Sequence, residues 1–232
     1  MAIRPVFVAL DSYPFVKVED TEFKFYPGFS LSQARKSSFS LRDSFVEKHS
    51  EYSGLVLEVS SKSDSNLGTQ LSAFNLLFTL SDGRKRTIES VFQSGKCFSN
   101  GKQYVEIIDL PSAEAKKYGP LRTSGEITHF KLENTIFPTS PITLFYDWIY
   151  INALIQNPQL ASSTVIYRAF TDIAFNPKKS LNCQARSVAL YVALSKAGVL
   201  NEATKSPEAF QKIVFQARKN EGQESFQQLS MF

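Results

Sequence analysis

Cysteine and histidine are scarce in this 232-residue chain, with only Cys97, Cys183, His49 and His129. Two cysteines make no disulfide framework, and reduced thiols of a cytoplasmic protein are the expectation. The two histidines stand far apart without an acid cluster nearby, so no zinc or di-iron pattern is present and no metal or cofactor is expected. A Cys–His nucleophile has no motif to support it, and buried structural thiols are far commoner. No apolar run reaches the roughly 18 residues needed to span a bilayer. The segment MAIRPVFVALDSYPF, broken by proline and aspartate, makes a poor export signal, so no membrane contact is expected. G-x-G-x-x-G, P-loop and G-x-S-x-G motifs are missing, as are internal repeats. What remains is acid–base chemistry by Glu, Asp and Lys.

Phenylalanine is plentiful, at twenty, and the net charge is +4. Basic pairs stand at Arg84–Arg86, Lys116–Lys117 and Lys178–Lys179, compatible with a polyanionic partner without being diagnostic. Residues 1–54 read as a strand–helix module packed on the main body. PVFVAL, PFVKV and EFKFY are short strands, broken at Asp11–Pro14 and Asp20–Thr21. Ser30 with Gln33 fits a capping box, and Leu31, Ala34, Ser38, Leu41 and Phe45 form one helical stripe. Residues 55–220 form the expected catalytic domain, and 221–232 a polar tail. Within the domain, residues 55–63 begin as an alternating strand, 71–80 read as a second strand and Ser112–Lys117 as a short helix capped by Ser112. Residues 120–142, with three prolines, read as irregular. TLFYDWIYINALIQN is apolar on nearly every face and reads as a central helix. CQARSVALYVALSKAG is a helix closed by Gly198, and another starts at Ser206-Pro207. The fold class is α+β, mainly helical, with short antiparallel strands.

The most informative stretch is TIESVFQSGKCF, residues 87–98. Read as one helix, it is capped by Thr87 and places Glu89, Gln93 and Lys96 on one face, with Phe92 beside them. Glu89 falls in the first turn, where the helix dipole favours its charge. Glu89 and Lys96 are then separated by about 10 Å along the axis, a spacing suited to bracketing a small ligand. A solvated polar face is the competing account of such a stripe.

These residues, as E-x-x-F-Q-x-x-K-x-F ending at Phe98, resemble the signature helix of the NADAR family. Further resemblances follow in order: LSAFN with Ser72, Phe74 and Asn75; DLPSAEAKKYG, followed by Arg122; Trp148 with Ala153-Leu154; Asp172 in DIAFN; and Asn182 before the last core helix. Three departures are Asn75, which follows the phenylalanine rather than preceding it, Pro120, where an arginine is usual, and Phe175-Asn176, where Trp-Gly is usual. With RPVF, GFS and SSKS, the pattern is similar to NADAR proteins found beside DarT-type guanine ADP-ribosyltransferase toxins.

The resemblance implies a NADAR-like core and removal of ADP-ribose from guanine bases of DNA, with ADP-ribose as product and the toxin as a further partner. Cleaving the N-glycosidic bond passes through an oxocarbenium-like state, which a carboxylate near C1″ stabilises or attacks through activated water. Glu89 is the first candidate, and Asp172 assists it or binds ribose hydroxyls, a loop cap being its alternative. Lys96 either holds a phosphate, protonates the leaving guanine, or attacks C1″ as an amine en route to a Schiff base; the last requires a pKa lowered by burial. Ser72, Phe74, Asn75, Phe92, Gln93 and Arg122 complete the implied ligand site. Trp148 is a core residue or a stacking platform, and Asn182 an N-cap or a diphosphate contact. Lys178 and Lys179 are DNA-phosphate contacts or solvated charges. Two other readings stay open: an N-glycosidase for a riboflavin-pathway metabolite, and a non-catalytic reader of ADP-ribose or binder of the toxin.

Overall fold

The computed structural model describes residues 1–215; the tail at 221–232 lies outside them. In chain order come β1 (Ala2–Ala9), β2 (Val16–Phe23), α1 (Leu31–Lys48), β3 (Val56–Glu58), α2 (Asn66–Gln70), β4 (Leu77–Thr79), β5 (Lys85–Thr87), α3 (Ile88–Ser94) and β6 (Lys96–Phe98). Then follow α4 (Ser112–Lys117), β7 (Ile127–Leu132), β8 (Thr135–Pro138), α5 (Leu144–Gln156), α6 (Pro158–Thr164), β9 (Ala169–Thr171), α7 (Gln184–Lys196), α8 (Leu200–Ala203) and α9 (Pro207–Phe215). The class is α+β.

The main sheet has the order β2-β1-β9-β3. β1 and β2 pair antiparallel along their whole length, from Ala2↔Phe23 to Ala9↔Val16, so no break falls at Asp20–Thr21. Thr21 itself is buried there, its hydroxyl turned back to the Glu19 carbonyl at 3.4 Å. β3 and β9 run parallel, so the main sheet is mixed, beside the expected antiparallel pairs. Alternation along β1 divides its side chains between two layers. Val6 and Val8 pack with Leu41 and Phe45 of α1, whereas Phe7 and Ala9 pack with the α5 and α7 side. The sheet is thus sandwiched between α1 and the α5–α7 pair. Ser30 caps α1 by accepting the Gln33 N–H at 3.3 Å, but Gln33 Oε1 has no partner among the described residues, so the return half of the capping box is not made.

α5 is the central helix; Leu144, Phe145, Ile149, Tyr150, Ile151, Ala153 and Leu154 are each at most 1% exposed. Within this apolar setting Asp147 accepts from Arg186 Nη1 through Oδ2 and from Ser187 Oγ at 2.7 Å through Oδ1, locking α5 to α7. Replacing Asp147 by Ala strands the Arg186 guanidinium beside a buried cavity, and we expect a loss of about 3 kcal/mol. A urea denaturation series on the variant measures it as a lowered midpoint at unchanged slope.

Three further expectations fail. Residues 71–80 are not one strand: residues 71–76 form turns, and only Leu77–Thr79 pair, with β5. Residues 120–142 are not irregular, because β7 and β8 form a hairpin within them. Ser112 opens α4 but does not cap it, its hydroxyl being spent on Thr87 Oγ1 at 2.7 Å and the Phe74 carbonyl at 3.2 Å.

Candidate active site

The helix carrying Glu89 stops at Ser94, and Lys96 lies on β6 rather than on the helical face with Glu89 and Gln93. The chain leaves the helix at Gly95, where a Cβ would stand 2.6 and 2.7 Å from the Phe145 ring. Only a residue without a side chain lets α3 lie this close to α5, and β6 then pairs with β7 from Lys96↔Phe130. Gly95→Ala forces Phe145 aside and shifts the β6 entry. We expect a loss of about 1–3 kcal/mol together with weakened activity, read from paired melting and turnover assays.

The first turn of α3 is held by its surroundings. Thr87 caps it, accepting the Ser90 N–H at 3.3 Å. The Ile88 and Glu89 N–H groups donate to the Leu76 and Ala73 carbonyls at 3.0 and 2.9 Å. These otherwise orphaned donors therefore fix the LSAFN turn against the helix start. Gln184 completes the junction, its Oε1 accepting the Ala73 N–H at 2.7 Å.

Glu89 is 5% exposed. Its Oε1 accepts from Gln93 Nε2 at 2.8 Å, and its Oε2 lies 3.5 Å from Lys116 Nζ. Lys116 sits one turn beyond Ser112 on α4, so the bonds that tie Ser112 to Thr87 and Phe74 also aim Lys116 at Glu89. Its ammonium rests 5.3 Å from the Phe74 ring centroid and is largely exposed, which places it between Glu89 and solvent. Lys96 Nζ stands 5.1 Å from the Phe92 ring centroid. Burial pulls its pKa down to about 8; Glu89 opposes the shift and Lys116 adds to it. Phe92 stacks on Phe130 at 5.6 Å and meets Tyr146 edge-on at 5.3 Å. The Tyr146 phenol, pushed well up by burial, Tyr150 and Glu89, stays protonated as a hydrogen-bond donor.

Asp172 raises the Tyr146 pKa as well, so the phenol feels both carboxylates. Asp172 is 6% exposed; its Oδ1 accepts the Ala174 and Phe175 N–H groups at 3.0 and 3.1 Å. Half of its accepting capacity is thereby committed to shaping the loop at 172–182. Burial and the neighbouring Glu58 push its pKa up. Glu58, which the sequence reading did not single out, accepts from Thr171 Oγ1 and Ser60 Oγ at 2.6 Å each and from the Ile173 N–H at 2.9 Å.

The other predicted residues divide. Ser72 is buried and braces its own turn, its Oγ accepting the Phe74 N–H at 3.3 Å. Asn75 is exposed and its amide is spent on the Thr69 carbonyl at 2.8 Å. Trp148 packs with Phe137 and Phe210 at 6.2 and 5.7 Å. Two residues from Tyr146 on a helix, it points to the opposite side of α5, partly buried against the core. Asn182 does not cap α7, a place taken by Cys183; its Oδ1 is buried without a hydrogen-bond partner among the described residues. Arg122, Lys178 and Lys179 are exposed. Cys97 faces His129 across β6–β7, but burial pushes the thiol up, away from the thiolate a nucleophile needs. Besides Glu58, the sequence did not point to Tyr146, and it offered Lys116 only as half of a basic pair. Tyr146 shares the i, i+4 spacing with Tyr150, but the only tryptophan in the same helix drew the attention.

Two concavities, about 540 and 570 Å3, flank α1, and neither includes Glu89 or Lys96. Among the described residues no group of His, Cys, Asp and Glu is arranged to hold a metal ion, and no helix is long and apolar enough to cross a membrane.

The family profile described as DarT1-associated NADAR antitoxin matches residues 2–224. The chain belongs to this family. No curated protein matches it. Membership assigns the NADAR antitoxin an association with a DarT system, and the E-x-x-F-Q-x-x-K-x-F run is the part of this NADAR chain that forms α3 and β6.

Proposed function

We propose that this antitoxin is a cytoplasmic hydrolase that removes ADP-ribose from guanine bases of DNA, cleaving the N-glycosidic bond and undoing the work of a DarT-type toxin. The observation that carries the reading is a half-buried amine of lowered pKa, Lys96, that feels the charge of a buried carboxylate, Glu89, in a chain of an antitoxin family. At pKa about 8, roughly a quarter of Lys96 is free amine at pH 7.5, enough to act as a nucleophile toward C1″. The electron pair of the guanine–C1″ bond goes to the base, and a proton from the site or from water completes the leaving guanine. Water then releases ADP-ribose from the sugar–lysine adduct and regenerates the amine. Glu89 stabilises the positive charge that builds on the sugar, or takes the proton from attacking water if no adduct forms.

Substrate contacts follow from placement. Lys116 is positioned to leave Glu89 for a diphosphate oxygen, being a flexible, solvent-facing cation. The unpartnered Asn182 oxygen, an acceptor, suits a ribose hydroxyl rather than a phosphate. Lys178 and Lys179 face solvent on the loop rooted at Asp172, where DNA phosphates would pass.

Cells carrying the toxin test the reading against simple capture of the toxin. The wild-type chain restores growth, and an equally abundant Glu89→Gln chain does not. Restored growth with the variant assigns protection to binding and removes the hydrolase from the account.

A further inference from the structure

We infer that the outer face of α1 pairs with the same face of a second copy of this chain, antiparallel about a twofold axis. The inner face of α1 is spent on the sheet through Ser37, Ser38, Leu41 and Phe45. Its outer face carries Lys36, Phe39, Ser40, Asp43, Ser44 and Glu47, which with Tyr26 line the concavity of about 570 Å3. Charge along this face is divided by sign: Lys36 near the start, Asp43 and Glu47 toward the end. None of the three forms an ion pair among the described residues.

An antiparallel partner whose axis passes between Leu41 and Arg42 sets Lys36 against Glu47 of the other copy, and Glu47 against its Lys36. The same axis sets Phe39 against Ser44 and Ser40 against Asp43, so the aromatic ring meets a small residue each time. A parallel partner would oppose like charges instead.

A second feature asks for the same arrangement. Phe29, just before α1, is fully exposed. At the other end of the helix lies the concavity of about 540 Å3, whose lining includes Val46, Gly54, Val56 and Tyr167. The helix is about 27 Å long at 1.5 Å per residue, so Phe29 cannot reach that hollow in its own chain. In the antiparallel pair each Phe29 arrives over the hollow of the other copy, and the contact closes on itself rather than propagating. Because α1 lies on the sheet face opposite α5 and α7, the pairing leaves the Glu89 site open to DNA.

Sedimentation velocity on the full chain tests this. We expect a concentration-dependent dimer, weakened at least about tenfold by Lys36→Glu or by Glu47→Lys alone, since each reversal opposes like charges at two symmetric places. Mixing those two variants re-forms a dimer, because every pair across the axis is again of opposite sign. Phe29→Ala weakens association with the circular-dichroism spectrum unchanged. A chain that is monomeric up to its solubility limit overturns the inference and leaves the face to a different protein or to nucleic acid. A dimer indifferent to both charge reversals overturns it equally.

Discussion

A Glu89→Gln chain keeps its fold and its affinity for ADP-ribose but releases ADP-ribose from modified DNA about a thousandfold more slowly. The substitution preserves volume, and the new amide oxygen still accepts from Gln93 Nε2, the 2.8 Å bond of the parent chain. Lys116 loses its partner but is mostly solvated, so stability falls by less than about 1 kcal/mol. What disappears is a negative charge on a buried side chain, where its effect on a developing oxocarbenium ion is largest. A second consequence separates this account from a structural role for Glu89. The Glu89 charge holds the Lys96 pKa up against burial, so removing it moves the pH profile of any residual turnover to lower pH. Wild-type turnover by the variant removes Glu89 from the mechanism.

Lys96→Met abolishes turnover and at the same time stabilises the protein at neutral pH. The folded-state pKa of about 8 lies below the ordinary 10.5, so the unfolded chain binds the extra proton between those values. Wild-type stability therefore rises with pH from about 8 to about 10.5, and below that window the buried ammonium is a cost that methionine removes. Activity has the same origin. If the free amine attacks, kcat/KM climbs about tenfold per pH unit and levels off near pH 8. Borohydride added during turnover leaves a sugar adduct on Lys96 in the wild type and none in the variant. Lys96→Arg distinguishes the alternatives: it keeps a cation over Phe92 but cannot act as an amine. An active arginine variant, with no adduct in the wild type, reduces Lys96 to a phosphate contact.

Local signals in the sequence located two of the caps and the apolar helices, though not Ser112 or Asn182 as caps. Ser30 before α1, Thr87 before α3 and the all-round apolar α5 each act within one turn of chain, so short windows suffice. The end of α3 depended instead on what Gly95 touches. Phe145 lies fifty residues away in sequence, and β6 exists only because β7 is there to pair with it. The β7–β8 hairpin was hidden for a related reason. Its two-residue turn, Glu133-Asn134, puts Glu133 at φ 53° and lacks the Asn-Gly or Asp-Gly signature of such turns. Phe130 and Phe137 do alternate with exposed neighbours, yet the prolines around them suggested a loop. Glu89 and Lys96 stand out in the sequence through a helical face that does not exist, since Lys96 lies on β6. Lys116 was seen only as half of a basic pair, because nothing local connects α4 to Glu89; Ser112, Thr87 and Phe74 do that through tertiary hydrogen bonds.

The most direct measurement is the mass of a single-stranded oligonucleotide bearing one ADP-ribosylated guanine, followed after the purified full chain is added with no toxin present. The account predicts that the oligonucleotide returns to its unmodified mass with intact guanine, one ADP-ribose appearing in solution for each strand restored. An unchanged mass, or loss of the whole modified base from the strand, contradicts it.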